Sequence, residues 1–239
     1  VFLPARRRAW PRALLVASVV LAPAAWSMTS SGASLPGQVI TVEAQSSLSE
    51  RAVLRTWRLA PDGRYVQVFP PVLAWVGVHG VRPTREGLGR TPVGVFTMTR
   101  AFGNQPDNGT RLPYVRVGPD DWWDENPASP HYNRLVVSRV SPGGGSENLY
   151  DAGLAYAHAV VINYNMNPVV KGAGSGFFLH VSFGSATEGC VAIPEDQLDQ
   201  VMRWLSPSLH PVISINVGEK ALAPVELVTS REGRPSHFG

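Results

Sequence analysis

Cys190 is the single cysteine in 239 residues. It closes the run Phe178-Leu179-His180-Val181-Ser182-Phe183-Gly184-Ser185-Ala186-Thr187-Glu188-Gly189-Cys190-Val191. A free thiol, with a pKa of about 8.5, is a weak nucleophile at neutral pH and needs activation. An imidazole within hydrogen-bond reach can take its proton, leaving a thiolate beside an imidazolium. A strand ending at His180 and a turn through Gly184-Ser185-Ala186 would return Cys190 to that imidazole. Gly189, directly before the thiol, would let a substrate carbonyl approach the chain. The N–H groups around Gly189 and Cys190 would then face the developing oxyanion. Glu188 and Thr187 complete the expected substrate-binding turn, and Ser182 either orients the imidazole or satisfies a strand end. Two other readings stay open on spacing alone. One is a small buried structural cysteine. The other is a metal centre built from His180, Glu188, Cys190 and His158, although the spacing fits no familiar zinc pattern.

The elements expected to hold these residues are mostly short strands. β-branched or alternating runs cover Gln38–Ala44, Ala52–Leu59, Tyr65–Val78, Val93–Thr99, Leu135–Val140, Ala159–Tyr164, Phe177–Ser182 and Val212–Val217. Gly/Pro/Asn-rich connections separate them. One helix is expected at Pro194–Leu205. Proline sits in its first turn, Glu195 and Asp196 at the positive end of the dipole, and Leu198, Val201, Met202 and Leu205 form an apolar stripe. A thiol at a strand start, followed by a helix packing back on the sheet, would be held rigidly. His79 and His158 either line the site or are structural. Trp122 and Trp123, read as part of a loop, either stack on sugar rings or form a lid together with the Gly103–Gly118 connection. Packing of the tryptophans against the domain is the alternative.

The head of the chain reads as an export signal: Arg6, Arg7, Arg8 and Arg12, then the apolar stretch Ala13–Ala25, then small residues. An uncleaved membrane anchor is the alternative, although the apolar run is short of the roughly 20 residues a span needs. Residues 1–35 are thus expected to be signal peptide and linker, 36–218 one catalytic domain, and 219–239 a tail, with the mature protein outside the cytoplasmic membrane. Removing the four head arginines from 21 Lys and Arg leaves 17 against 18 Asp and Glu. The net charge of +3 therefore belongs to the head, and nucleic acid is not an expected partner. With 23 glycines, 21 prolines and 16% charged residues, the chain suits a turn-rich β protein. No phosphate-binding glycine loop or paired-cysteine metal motif occurs, so no cofactor is expected. In an oxidising compartment an unpaired thiol is a liability unless it has a task.

At His180 and Thr187-Glu188-Gly189-Cys190-Val191 the sequence resembles the L,D-transpeptidase catalytic domain of the YkuD type. Gly89-Arg90-Thr91-Pro92-Val93-Gly94-Val95-Phe96 is similar to that family's Thr-Pro-x-Gly-x-Phe segment. Trp122–Asn133 and Val160–Asn165 resemble one secreted branch. Many relatives have histidine where Glu188 stands and arginine or asparagine where Ala192 stands. The resemblance implies a mainly β, sandwich- or barrel-like domain with one main helix, and a monomer acting on peptidoglycan stem peptides without a cofactor. It implies that Cys190 attacks the stem peptide and releases the terminal D-alanine. His180 acts as base and then acid, and an amine of another stem receives the acyl group. Water as acceptor would make an L,D-carboxypeptidase instead. A protein that had kept the fold without the chemistry would only bind the wall.

Overall fold

The computed structural model describes residues 35–218. The expected signal segment and the tail lie outside the described residues. The first strands are β1 (Gln38–Ala44), β2 (Arg51–Leu59), β3 (Tyr65–Gln67), β4 (Val72–Trp75), β5 (Gly94–Thr97), β6 (Ala101–Gly103) and β7 (Tyr114–Arg116). They are followed by β8 (Asp121–Asp124), β9 (Arg134–Val137), β10 (Glu147–Asn148), β11 (Ala159–Val161), β12 (Phe178–Val181) and β13 (Val191–Ile193). Helix α1 (Glu195–Trp204) and β14 (Val212–Val217) complete the domain.

Eleven strands form one curled sheet, ordered β5-β14-β1-β2-β4-β13-β12-β11-β6-β7, with β3 paired to β2. A second, three-stranded sheet runs β10-β8-β9. The fold is mainly β with one main helix, as the sequence indicates. The expected run Tyr65–Val78 is broken into β3 and β4, because Pro70 and Pro71 lack the N–H groups that a continuous ladder needs.

Strand β12 organises the interior. All four of its residues are buried, which a strand covered on both faces requires. Side chains alternate across it. Leu179 and Val181 join a large core with Leu198, Val201 and Met202 of α1 and Leu205 just beyond it. Phe178 instead joins Trp123, Tyr156, Phe102 and Cys190 in a second cluster. One strand thus separates a hydrocarbon layer under the helix from an aromatic layer under the site. Pro194 precedes α1 with an extended ψ of 146°, and its missing N–H is one that a helix start would leave unpaired anyway.

Candidate active site

His180 and Cys190 line one cleft of about 630 Å³. The alternation of β12 places His180 on the same face as Phe178, while β13 runs parallel to β12 with Leu179 opposite Val191 and His180 opposite Ala192. Cys190 therefore sits one position before β13, beside Phe178. The Phe178 N–H donates to Cys190 Sγ at 3.3 Å, and the thiol donates to Gly176 O at 3.4 Å. His180 Nδ1 lies 2.9 Å from Val181 O. A carbonyl can only accept, so Nδ1 carries the hydrogen and Nε2 keeps its lone pair, as a base requires.

The turn before the thiol is clamped from two sides. Thr187 Oγ1 donates to Cys190 O at 2.7 Å and accepts the Gly189 N–H at 3.1 Å. Thr187 N–H also donates to Val76 O at 2.9 Å. Thr91 Oγ1 reaches Cys190 O at 3.4 Å and accepts the Gly77 N–H at 2.8 Å. The Thr91-Pro92 motif thus braces the nucleophile's backbone from below. Gly189 has φ +143°, and a Cβ there would stand 2.7 Å from Phe177 Cε1 and 3.0 Å from Arg90 O. Only glycine fits that approach. The expected oxyanion donors separate here, because the Gly189 N–H is engaged by Thr187 while the Cys190 N–H bonds to no described residue.

With this geometry in view, the family assignment follows. Residues 40–218 match the L,D-transpeptidase catalytic domain family, YkuD. The chain belongs to this family. No curated protein matches it. Membership makes the chain an L,D-transpeptidase-type enzyme with peptidoglycan as its substrate class.

Electrostatically, this YkuD site is a resting one. Burial pushes the Cys190 thiol far above its ordinary value, and the charges of Glu147 and Glu125 push the same way. The Phe178 N–H and the Tyr156 hydroxyl act in the opposite sense. Burial lowers His180 to about 4, against the carbonyls of Val181 and Ala155, which favour its charged form. Neutral thiol beside neutral imidazole is therefore the favoured state. That balance opposes a resting thiolate–imidazolium pair, since separating charge in so buried a place is costly. No hydrogen bond joins the thiol to His180.

Tyr156, which sequence reading missed, shares the buried cluster of Cys190 and lines the same cleft. It follows β10 on a short 3₁₀ turn, Gly153–Tyr156. Its ring meets His180 edge-on at 5.3 Å, and its hydroxyl donates to Glu147 Oε2 at 2.7 Å. Glu125 and Glu147 were missed as well, and both line the cleft. No local spacing signals them, because pairing of β10 with β8, Glu147 opposite Trp123, brings them to the thiol.

The remaining expected residues fall on both sides of the cleft wall. Gly189, Thr187 and Glu188 line it. Ser182 does not: its Oγ accepts the Gly184 N–H at 3.0 Å and caps the turn. His79 is exposed, and its N–H donates to Gly89 O. His158 ties α1 to the 104–113 loop, with Nδ1 2.9 Å from Asp199 Oδ1 and Nε2 2.9 Å from Pro106 O. The alternative metal set of His180, Glu188, Cys190 and His158 is therefore not assembled, and no cluster of three His, Cys, Asp or Glu suited to a metal occurs among the described residues.

The lid expectation is corrected. Trp122 and Trp123 lie on β8, not on a loop. Trp123 is fully buried, donates to Asn133 Oδ1 at 3.0 Å and packs on Phe178 at 5.0 Å. Trp122 donates to Ser138 O at 3.0 Å. The 103–118 connection carries β7 and is fastened to α1 by Asn108–Asp199 and Thr110–Met202 hydrogen bonds. Flanking aspartates make Asp121–Asp124 read as loop, but it forms a strand because Trp123 has an aromatic layer to fill.

Proposed function

We propose that the protein is a peptidoglycan L,D-transpeptidase that acts as a monomer outside the cytoplasmic membrane. The basic-then-apolar head of the sequence supports that location. The observation that carries the chemistry is the convergence of Cys190, braced by Thr91 and Thr187, with a His180 whose Nδ1–H is fixed on Val181 O, so that Nε2 can act as base. In the first half-reaction His180 takes the thiol proton as Cys190 attacks the carbonyl before the terminal D-alanine of a stem tetrapeptide. The C–S bond forms, the C–N bond breaks, and the proton passes from His180 to the leaving amine. The Cys190 N–H is the donor positioned for the oxyanion. In the second half an amine of another stem attacks the thioester. His180 takes its proton and returns it to the sulfur.

An amine acceptor is favoured over water by the charge of the cleft. Glu125, Glu147 and Glu188 line it, with no lysine or arginine among the described residues; burial holds Glu125 largely neutral, so the exposed Glu188 carries the charge at the rim. Such a wall attracts an ammonium group. Mass spectrometry of products from stem tetrapeptide and the full chain tests the assignment. Cross-linked dimer as the main product supports it. Tripeptide alone, at saturating acceptor, would make the enzyme an L,D-carboxypeptidase, and no turnover by a folded protein would leave wall binding.

A further inference from the structure

The mechanism above leaves one buried pair without a task. Tyr156 is 4% exposed, donates its hydroxyl hydrogen to Glu147, meets the His180 ring edge-on, and shares both a buried cluster and the cleft wall with Cys190. A phenol has a single hydrogen to give. It can serve the carboxylate or a sulfur anion, not both. We propose that Tyr156 and Glu147 form a switch on the nucleophile: an ionised Glu147 holds the Tyr156 proton and keeps Cys190 a thiol, and a neutral Glu147 releases it to stabilise the thiolate. This rests on Cys190 being the nucleophile.

The geometry gives each partner a distinct role. Tyr156, giving its hydrogen to the sulfur, is the catalytic residue of the pair, whereas Glu147 acts through it and is a positioning residue. Glu147 takes a proton from a solvent acid in the cleft, and its new O–H donates to the Tyr156 oxygen. The Tyr156 O–H then turns to Sγ as the thiol proton leaves for His180 Nε2. Nothing is oxidised or reduced.

The groups around the pair favour this reading. Glu147 stands on β10, Glu125 on the chain after β8, His180 on β12, and Glu188 on the nucleophile turn, while Glu86 and Asp124 act on Glu125 from the flank. Glu125 and Glu147 both oppose a thiolate. Burial raises Glu147, so it takes up a proton more readily than an exposed glutamate. An arriving ammonium group would neutralise the same carboxylate. The switch would thus tie thiolate formation to occupancy of the cleft and protect a lone thiol while the cleft is empty.

The test is the rate of iodoacetamide alkylation of Cys190 in the full chain across pH 6–10, which needs no peptidoglycan. Wild type, Glu147→Gln, Tyr156→Phe and the double variant are compared. The Gln amide keeps the bond to the Tyr156 oxygen but now donates it, mimicking neutral Glu147. Glu147→Gln should alkylate roughly tenfold faster near pH 7.5, its midpoint moved down by about one pH unit. Tyr156→Phe should alkylate more slowly, and most of the Glu147→Gln gain should vanish in the double variant. An equal gain with and without Tyr156 would reduce Glu147 to a bystander charge and overturn the switch. A Glu147→Gln rate at or below wild type overturns it without the other variants, should Tyr156→Phe not fold. Acyl-enzyme formation by wild type, measured separately, tells failure of the switch from failure of the nucleophile assignment.

Discussion

The two faces of β12 are built to different specifications. Toward α1, Leu179 and Val181 meet Leu198, Val201, Met202 and Leu205, a layer of apolar side chains. Toward the cleft, Phe178 and His180 meet Trp123, Tyr156 and Cys190, and the polar atoms there are assigned partners. Trp123 donates to Asn133, Tyr156 to Glu147, and Cys190 to Gly176. The first face supplies adhesion and tolerates exchange of one hydrocarbon for another. The second fixes protonation states, so small polar changes there should alter chemistry more than stability.

Cys190→Ala gives the largest contrast. It removes one sulfur from the cleft face and should reduce acyl transfer by more than about a thousandfold. Its melting temperature should stay near wild type. Turnover near normal in that variant would break the comparison at its strongest point. On the opposite face, Leu198→Ala, at a fully buried position, should destabilise the fold by about 2–5 kcal/mol, the usual range for such a cavity. Denaturant titration measures that loss, and the turnover of the molecules that remain folded should be within about twofold of wild type. A large fall in turnover per folded molecule would show that the helix layer also tunes the site.

The pH dependence sharpens the comparison further. Burial, then the charges of Glu147, Glu86 and Asp124, raise Glu125 from 4.5 to about 8. The folded state thus prefers the neutral carboxyl. Its contribution to stability is full below pH 4.5 and is lost as pH rises through about 8. Glu125→Gln should flatten that part of the fall in melting temperature between about pH 5 and 9. A decline as steep as in wild type would place its cause elsewhere. The smallest effect is expected from Trp122→Ala. Because Trp122 sits on β8 and not on a lid, the variant should lose some stability yet leave the ratio of hydrolysed to cross-linked product unchanged. A raised ratio, read by mass spectrometry, would restore a gating role to β8.

What the sequence disclosed follows the same division. His180, Gly189 and Cys190 lie close along the chain, so their spacing was readable, as were β1, β14 and α1, whose patterns are strongly periodic. Thr91 was recognisable as a motif residue, but its contact with Cys190 O spans 99 residues of chain. Tyr156, Glu147 and Glu125 carried no local signal, for strand pairing and a 3₁₀ turn bring them to the thiol. Trp122 and Trp123 were misplaced because acidic neighbours mask a strand whose inner face is aromatic. The charge state of the thiol is not legible in spacing for a related reason: spacing predicts proximity, whereas burial shifts the balance between charged and neutral forms.

The central claim, that Cys190 carries the acyl group, is tested most directly by intact-protein mass spectrometry of the full chain mixed with stem tetrapeptide and sampled before turnover completes. The account predicts an adduct of the tetrapeptide less its terminal D-alanine, mapped to Cys190, labile to hydroxylamine and absent from Cys190→Ala. Product formation without any Cys190 adduct, or an adduct that persists in Cys190→Ala, would contradict it.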